Sequence, residues 1–407
     1  MSGPDLLGGG DRRPARGLPG SGRRRRGWTV AGTVLVAAAA AVLAVRSNPE
    51  PAPAATLPTS APTPAPAPTG PRPVIVTTAV GTRWAYALLA SCSDPDQLVD
   101  CTTRLHRRSL GGGGWAPVEW STPRTSGIAA QLHVTPDDQV TVVDEPTAGQ
   151  VYASTDGGRT VQVHRLRPGP PVAAVPPGGV LDLGSCEMCS GRLTVLDPAT
   201  GRLRPLARQP AFGRTTSIRW LATSGDVVWV LAESGETGRD LATAVSLDRG
   251  RTWRALPLPG TAASAEVIQI FTDGGRGAYV LISRDARPDR RHEFTELWRI
   301  GDPAAPGAAW RRVTPARRPP TAVILVPGQR GVLIGTEDGE AWRLLADGTM
   351  RPLPGVDYGG VPIKPGIVVS GPGGAFLGLP ALQSDLSRPT LVVSFDEGES
   401  WRVEEIG

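Results

Sequence analysis

The chain has 407 residues, of which 40% are apolar and 20% charged, with a formal net charge of +5. That length allows one large all-β domain or two average domains. The positive charge is local: residues 1–27 carry seven Arg against Asp5 and Asp11, residues 28–73 carry Arg46 and Arg72 against Glu50, and residues 74–407 are left at −1. A folded part with that balance offers no electrostatic footprint for nucleic acid, so nucleic-acid binding is not expected.

In chain order, the basic segment 1–27 ends in the run Arg23–Arg26, directly before "WTVAGTVLVAAAAAVLAV", residues 28–45, which carry no charge. As a helix these residues would rise about 27 Å, enough to cross a hydrocarbon core. The positive-inside rule then keeps residues 1–27 in the cytoplasm and places the rest outside. The expected localisation is the cell membrane, single-pass, with a signal peptide cleaved near Val42 and Ala44 as the alternative, giving a secreted protein. Residues 46–73 follow, with ten prolines between Asn48 and Pro73. At about 3.1 Å per residue, this polyproline-type spacer reaches nearly 80 Å when extended.

All four cysteines lie beyond the spacer, as Cys92 with Cys101 and Cys186 with Cys189. Even number, close spacing and an extracytoplasmic address point to two local disulfides. The alternatives for "CEMC" are a redox pair, for which no βαβ context exists, or half of a zinc site.

From 74 to 407 the chain repeats itself. "STDGGRTV" (154–161), "SLDRGRTW" (246–253) and "SFDEGESW" (394–401) share one pattern at intervals of 92 and 148 residues. These are close to two and three times a unit near 48. Each unit has an apolar strand, a Gly- or Asp-bearing turn, a second apolar strand, a variable loop and two more strands. The second strands read "RWAYALLA", "QVTVVDE", "GVLDLGS", "DVVWVLAE", "GAYVLIS", "GVLIGTE" and "GAFLGLP", and the last strand of each unit starts near Trp115, Val161, Leu203, Trp253, Trp310, Met350 and Trp401. Without any amphipathic helical period between them, seven such units predict an all-β, seven-bladed β-propeller with four-stranded blades spanning residues 74–407. The first and last units are both complete, so no exchanged strand is needed to close the ring.

The octapeptides resemble the Asp-box, or BNR repeat, of bacterial sialidases, sortilin-type receptors and the photosystem II assembly propeller. Three of seven units carry the resemblance directly. It implies the fold rather than an activity, since those families do unrelated things. The box sits on the hairpin between the third and fourth strands. There Ser154, Asp156 and Gly158, then Ser246, Asp248, Gly250 and Trp253, then Ser394, Asp396, Gly398 and Trp401 are expected to be structural. The aspartates accept backbone N–H bonds across the turn, the glycines supply positive φ, and the tryptophans begin the fourth strand and cover the blade's outer side. Lying in different blades, the three carboxylates cannot converge on one substrate.

The opposite face gathers the loops between second and third strands and the connections between blades, and both cysteine pairs fall in such loops. They would either stiffen a binding face or only protect exposed hairpins. Arg72, Arg124, Arg167, Arg214, Arg317, Arg318 and Lys364 lie on inter-blade connections, a ring suited to a carboxylated or phosphorylated ligand, though arginine is common enough here to make most of that by chance. The candidate ligand-binding residues are Arg124, Arg214, Arg318, Tyr358 and Lys364. Resemblance to sialidases would imply an arginine trio, a tyrosine nucleophile paired with Glu and an Asp acid, plus an Arg-Ile-Pro motif that is absent here. Of the four tyrosines, Tyr86 and Tyr279 are mid-strand, Tyr152 precedes an octapeptide and only Tyr358 lies on an inter-blade connection, with Asp357 beside it in place of the paired Glu. His106, His133, His164 and His292 are scattered without ligand spacing, so neither a metal nor a cofactor is expected. The run "RDARPDRRHE" (284–293) alternates in sign and is the stretch most suited to a protein partner. The expected function is non-catalytic binding or assembly by a monomeric membrane-anchored propeller, its ligand a protein or cell-surface glycan. An exo-sialidase-like glycoside hydrolase is the alternative.

Overall fold

A computed structural model describes residues 73–93, 101–121, 130–135, 137–144, 149–182, 192–212, 217–234, 240–259, 266–284, 292–358, 361–363, 367–370, 374–379 and 388–407. They form seven four-stranded sheets, with one further two-stranded hairpin. The sheets are the blades of an all-β, seven-bladed propeller: blade 1 (73–121), blade 2 (130–165), blade 3 (180–205 with 167–168), blade 4 (217–257), blade 5 (266–313), blade 6 (324–352) and blade 7 (367–405). The hairpin pairs Val356–Tyr358 with Val361–Ile363 on the connection between blades 6 and 7.

The apolar second strands take their place for a physical reason. A strand in mid-blade is covered on both faces by the neighbouring blades, so it needs apolar residues at successive positions. Thus Ala85–Ala90 are all buried. The outer strands face solvent, and Arg254–Pro257 of blade 4 buries only Leu256. Seven apolar cores between adjacent blades complete the ring. Blade 7 closes onto blade 1 without exchanging a strand: Ile75, Ala87 and Leu89 share a core with Leu377, Leu391 and Ile406. Over that joint the Glu404 carboxylate pairs with Arg108 at 3.0 Å and accepts the Trp115 indole N–H at 2.9 Å.

Blade 3 departs from the expected order. Its third and outer strands are Thr194–Asp197 and Arg202–Pro205, and its second is Val180–Asp182. The chain entering the blade does not lay down an inner strand first. Instead Arg167–Pro168 pairs in parallel with the outer strand, from outside. The chain then passes Leu206, donates the Val175 N–H to the Arg249 carbonyl, and turns at Gly178 beside Gln139 before entering Val180–Asp182. Prolines at 168, 170, 171, 176 and 177 explain why this stretch is a poor inner strand, because each removes a ladder donor. Arg167, expected on the ring at the channel mouth, is consequently an exposed residue on the outer edge of blade 3.

Cys92 and Cys101 form a disulfide at the base of the loop between the second and third strands of blade 1. Cys186 and Cys189 lie outside the described residues, as do the basic segment 1–27, the apolar segment 28–45 and the spacer up to residue 72. Among the described residues no helix is long and apolar enough to cross a membrane.

Candidate functional site

The three octapeptides lie on the hairpins joining the third and outer strands of blades 2, 4 and 7, so their carboxylates stand apart. Each builds the same lock. The Ser246 hydroxyl donates to Asp248 Oδ1 at 2.8 Å and accepts the Gly250 N–H at 2.7 Å. Asp248 in turn accepts the Thr252 N–H at 2.8 Å and the Thr252 hydroxyl at 2.6 Å. Ser154, Asp156, Gly158 and Thr160 repeat the arrangement, as do Ser394, Asp396, Gly398 and Ser400. The Thr160 N–H, helped by the Thr160 and Ser154 hydroxyls, holds the Asp156 carboxyl down at about 2. Burial alone would raise Asp248 and Asp396, but the hydroxyls and amides bonded to them outweigh it and lower both. Carboxylates stabilised in the ionised form and occupied by their own turn are poor general acids.

The turn needs positive φ at two successive residues, as in a type I′ turn. Gly250 is at 86° and Gly398 at 84°, and the residues before them, Arg249 and Glu397, also adopt 60° and 62°. The carbonyl of this first left-handed residue reaches the preceding blade in all three copies. Gly157 O accepts Arg107 Nη1 at 2.7 Å, Arg249 O accepts the Val175 N–H at 2.9 Å, and Glu397 O accepts Arg343 Nη2. Trp253 and Trp401 follow the same direction. They do not cover the outer side of the blade, as expected, but pack into the cores shared with blades 3 and 6, where apolar surface on the preceding blade receives them.

The described part of the opposite face contains a different arrangement, on the connection from blade 5 to blade 6. Residues 320–322 zip onto the start of the third strand of blade 5: the Phe294 N–H donates to Pro320 O at 3.0 Å and the Ala322 N–H to His292 O at 2.9 Å. Buried Thr321 accepts the Glu337 N–H at 3.1 Å, tying in the loop of blade 6. The anchored segment presents Arg317 and Arg318, both exposed. Arg317 lies 5.4 Å from the Trp342 ring centroid and Arg318 lies 5.5 Å from that of Phe294. Both rings belong to the core between blades 5 and 6, so the two guanidinium groups roof one joint. Arg318 Nη1 donates to Thr295 O at 3.2 Å. Among the described residues neither arginine pairs with a carboxylate, while nearby Glu337 is engaged by the His292 N–H at 3.2 Å. Stacked guanidinium groups with N–H donors left over suit a planar anion.

Of the other candidate residues, Arg124, Arg214 and Lys364 lie outside the described residues. Tyr358 pairs with Val361 in the hairpin between blades 6 and 7, a different connection from that of Arg318. Tyr86, Tyr152 and Tyr279 are buried within strands. No group of His, Cys, Asp and Glu among the described residues could hold a metal. Phe294 and Trp342 had no sequence signal as supports for the arginines, because they become neighbours only through the packing of two blades.

No protein-family model matches the chain, and no curated protein does. Solved structures that resemble it include apo AztD from Citrobacter koseri, at 11% identity over 81% of this chain and 85% of that one, with a TM-score of 0.44. The β-propeller domain of the Trilobed protease from Pyrococcus furiosus is 10% identical over 82% of this chain and 97% of that domain, with a TM-score of 0.49. An acylaminoacyl peptidase from Pyrococcus horikoshii is 9% identical over 82% of this chain but 52% of its own length, with a TM-score of 0.49. At these values the likenesses say nothing about activity, and the propeller assignment stands on the sheet order and the seven cores.

Proposed function

We propose that the chain is a membrane-anchored, extracytoplasmic Asp-box propeller that binds an anionic ligand without transforming it, on the face opposite the octapeptide hairpins. The observation that carries this reading is the pair Arg317 and Arg318, stacked on Trp342 and Phe294 with no carboxylate partner among the described residues. Stacking limits the side-chain motion that a ligand would otherwise have to arrest, so less entropy is lost on binding. The basic segment before residue 28 and the apolar segment 28–45 support the anchored topology, and the proline-rich spacer would hold the propeller clear of the lipid.

The test is a glycan array bearing sialylated and sulfated structures, read beside a set of acidic peptides. Replacing both arginines, Arg317→Ala with Arg318→Ala, should weaken binding by tenfold or more, about 1.4 kcal/mol, with little change in melting temperature. Equal binding by parent and double variant would remove the arginine pair from the function. A glycoside hydrolase finds no support in the described residues. Turnover of a fluorogenic sialoside that disappears in Tyr358→Phe would nevertheless replace the binding reading with an enzymatic one.

A further inference from the structure

We infer that the joint of blades 5 and 6 carries a second anion subsite, Arg299 with Arg311, and that an extended acidic glycan bridges it to Arg317 and Arg318, on the reading that this latter pair binds an anion. Arg299, in the third strand of blade 5, stands in the ladder between Tyr279 of the second strand and Arg311 of the outer one. Tyr279 belongs to the core shared with blade 6, so the row faces the joint that Arg317 and Arg318 roof. Arg299 lies 5.6 Å from the Tyr279 ring centroid, much as Arg317 and Arg318 lie over Trp342 and Phe294. Three guanidinium groups thus rest on three rings of one core. Arginines opposite each other in a ladder repel. On the other face of the outer strand the charge is balanced, since Arg312 pairs with Glu296 at 2.9 Å. Among the described residues neither Arg299 nor Arg311 pairs with a carboxylate, and the buried Arg299 Nε–H finds no acceptor. The blade gives Arg299 a ring to rest on but no counter-charge, and Arg311 beside it is exposed. An oxyanion accepting from both guanidinium groups would relieve the repulsion.

The distance between the two pairs defines the ligand. Phe294, under Arg318, and Arg299 are five residues apart in one strand, roughly 16 Å. A single carboxylate or sulfate cannot touch both ends, whereas a chain with repeated anionic groups can. Half-buried Val313 and Pro315 lie along the outer side between them. An acidic peptide added as a strand would need main-chain partners there. The outer strand, Arg311–Val313, is three residues long, and Pro315, Pro319 and Pro320 lack an amide donor. A glycan carries its anionic groups as substituents on solvated sugar rings and makes no such demand.

The experiment uses the full chain and sulfated uronic oligosaccharides, a disaccharide and an octasaccharide, with affinities read by calorimetry at one salt concentration. The parent should bind the octasaccharide more tightly by about tenfold or more, because its second contact is made within the complex. Arg311→Ala should remove that advantage, weakening the octasaccharide about tenfold and leaving the disaccharide unchanged. Arg317→Ala with Arg318→Ala should weaken both. Arg251→Ala, which removes an exposed charge from the octapeptide hairpin of blade 4, should weaken neither. Equal affinity for the two lengths would overturn the second subsite while the pair Arg317 and Arg318 stands, and no binding of either would overturn both. A loss in Arg251→Ala as large as in Arg311→Ala would reduce the effect to net charge and overturn the subsite. An oligoglutamate of matched charge that binds as tightly as the octasaccharide, with the same dependence on Arg311, would overturn the glycan in favour of a peptide.

Discussion

The octapeptides 246–253 and 394–401 fold into the same turn, yet they fasten their blades in different ways. At the joint of blades 3 and 4 the fastening is neutral: the Arg249 carbonyl accepts a backbone N–H from Val175, and the Trp253 indole donates to Arg208 O at 3.0 Å. At the joint of blades 6 and 7 it is charged, around a buried arginine. Arg343, 2% exposed, donates to Glu397 O and to the Glu399 carboxylate, which is also held by Arg351. The Glu397 carboxylate caps the Gln329 and Arg330 N–H groups at 3.0 and 2.7 Å. Trp401 stacks on Phe376 with centroids 6.4 Å apart, and its indole N–H finds no acceptor among the described residues. The repeated Ser, Asp and Gly shape the turn, and the variable positions between them decide how it grips its neighbour.

The comparison predicts its largest effect at Arg343. Arg343→Leu leaves the Glu397 carbonyl without its buried donor and Glu399, 31% exposed, with Arg351 alone, so the loss should lie at the low end of that for a broken buried pair, about 3 kcal/mol. Urea unfolding should show that loss. A change below about 1 kcal/mol would mean that blade 7 is held by its apolar core alone. Glu397→Gly should come next, at about 2 kcal/mol, because relief of the left-handed backbone offsets part of the loss of two capped amides.

Asp248→Ala and Asp396→Ala should each cost about 1–2 kcal/mol, and by similar amounts, since the turn is common to both joints. Ligand binding on the opposite face should be unaffected. A twofold or larger disparity between the two would break the separation of turn from grip. The same locks predict a pH dependence. Asp156, Asp248 and Asp396 are all lowered in the folded state. Their contribution is thus complete above the unfolded carboxyl value near 4 and is lost as pH falls below it through the lowered folded values, that of Asp156 lying at about 2. The melting temperature should fall over that window more steeply than in the triple Asp→Asn variant.

These contrasts also mark how far the residues could be read before the fold was known. The spacing of three octapeptides and the buried second strands were enough for seven blades, because both follow from local chemistry repeated at one period. The interior lock was legible for the same reason: Ser, Asp and Gly act within five residues. What joined Arg343 to Glu397, or Arg317 to Trp342, depended on which blades touch, and no local pattern encodes that. The lack of an inner strand among the described residues of blade 3 was foreshadowed by its prolines, but five prolines are equally compatible with a loop. The assigned period hid the departure by supplying a strand where none formed.

The smallest expected effect tests the division most sharply. Arg249 and Glu397 occupy equivalent left-handed positions, at 60° and 62°. Among the described residues the Arg249 side chain pairs with Asp226 of its own blade alone, and both groups are substantially exposed, at 41% and 60%. Such a pair contributes at most about 1 kcal/mol. Relief of the left-handed backbone in Arg249→Gly gains a similar amount, while the bond to Val175 runs through the carbonyl and survives. Arg249→Gly should therefore unfold within about 0.5 kcal/mol of the parent. If it fell by as much as Glu397→Gly, the joint of blades 3 and 4 would depend on a side chain after all, and the contrast between a neutral and a charged fastening would fail.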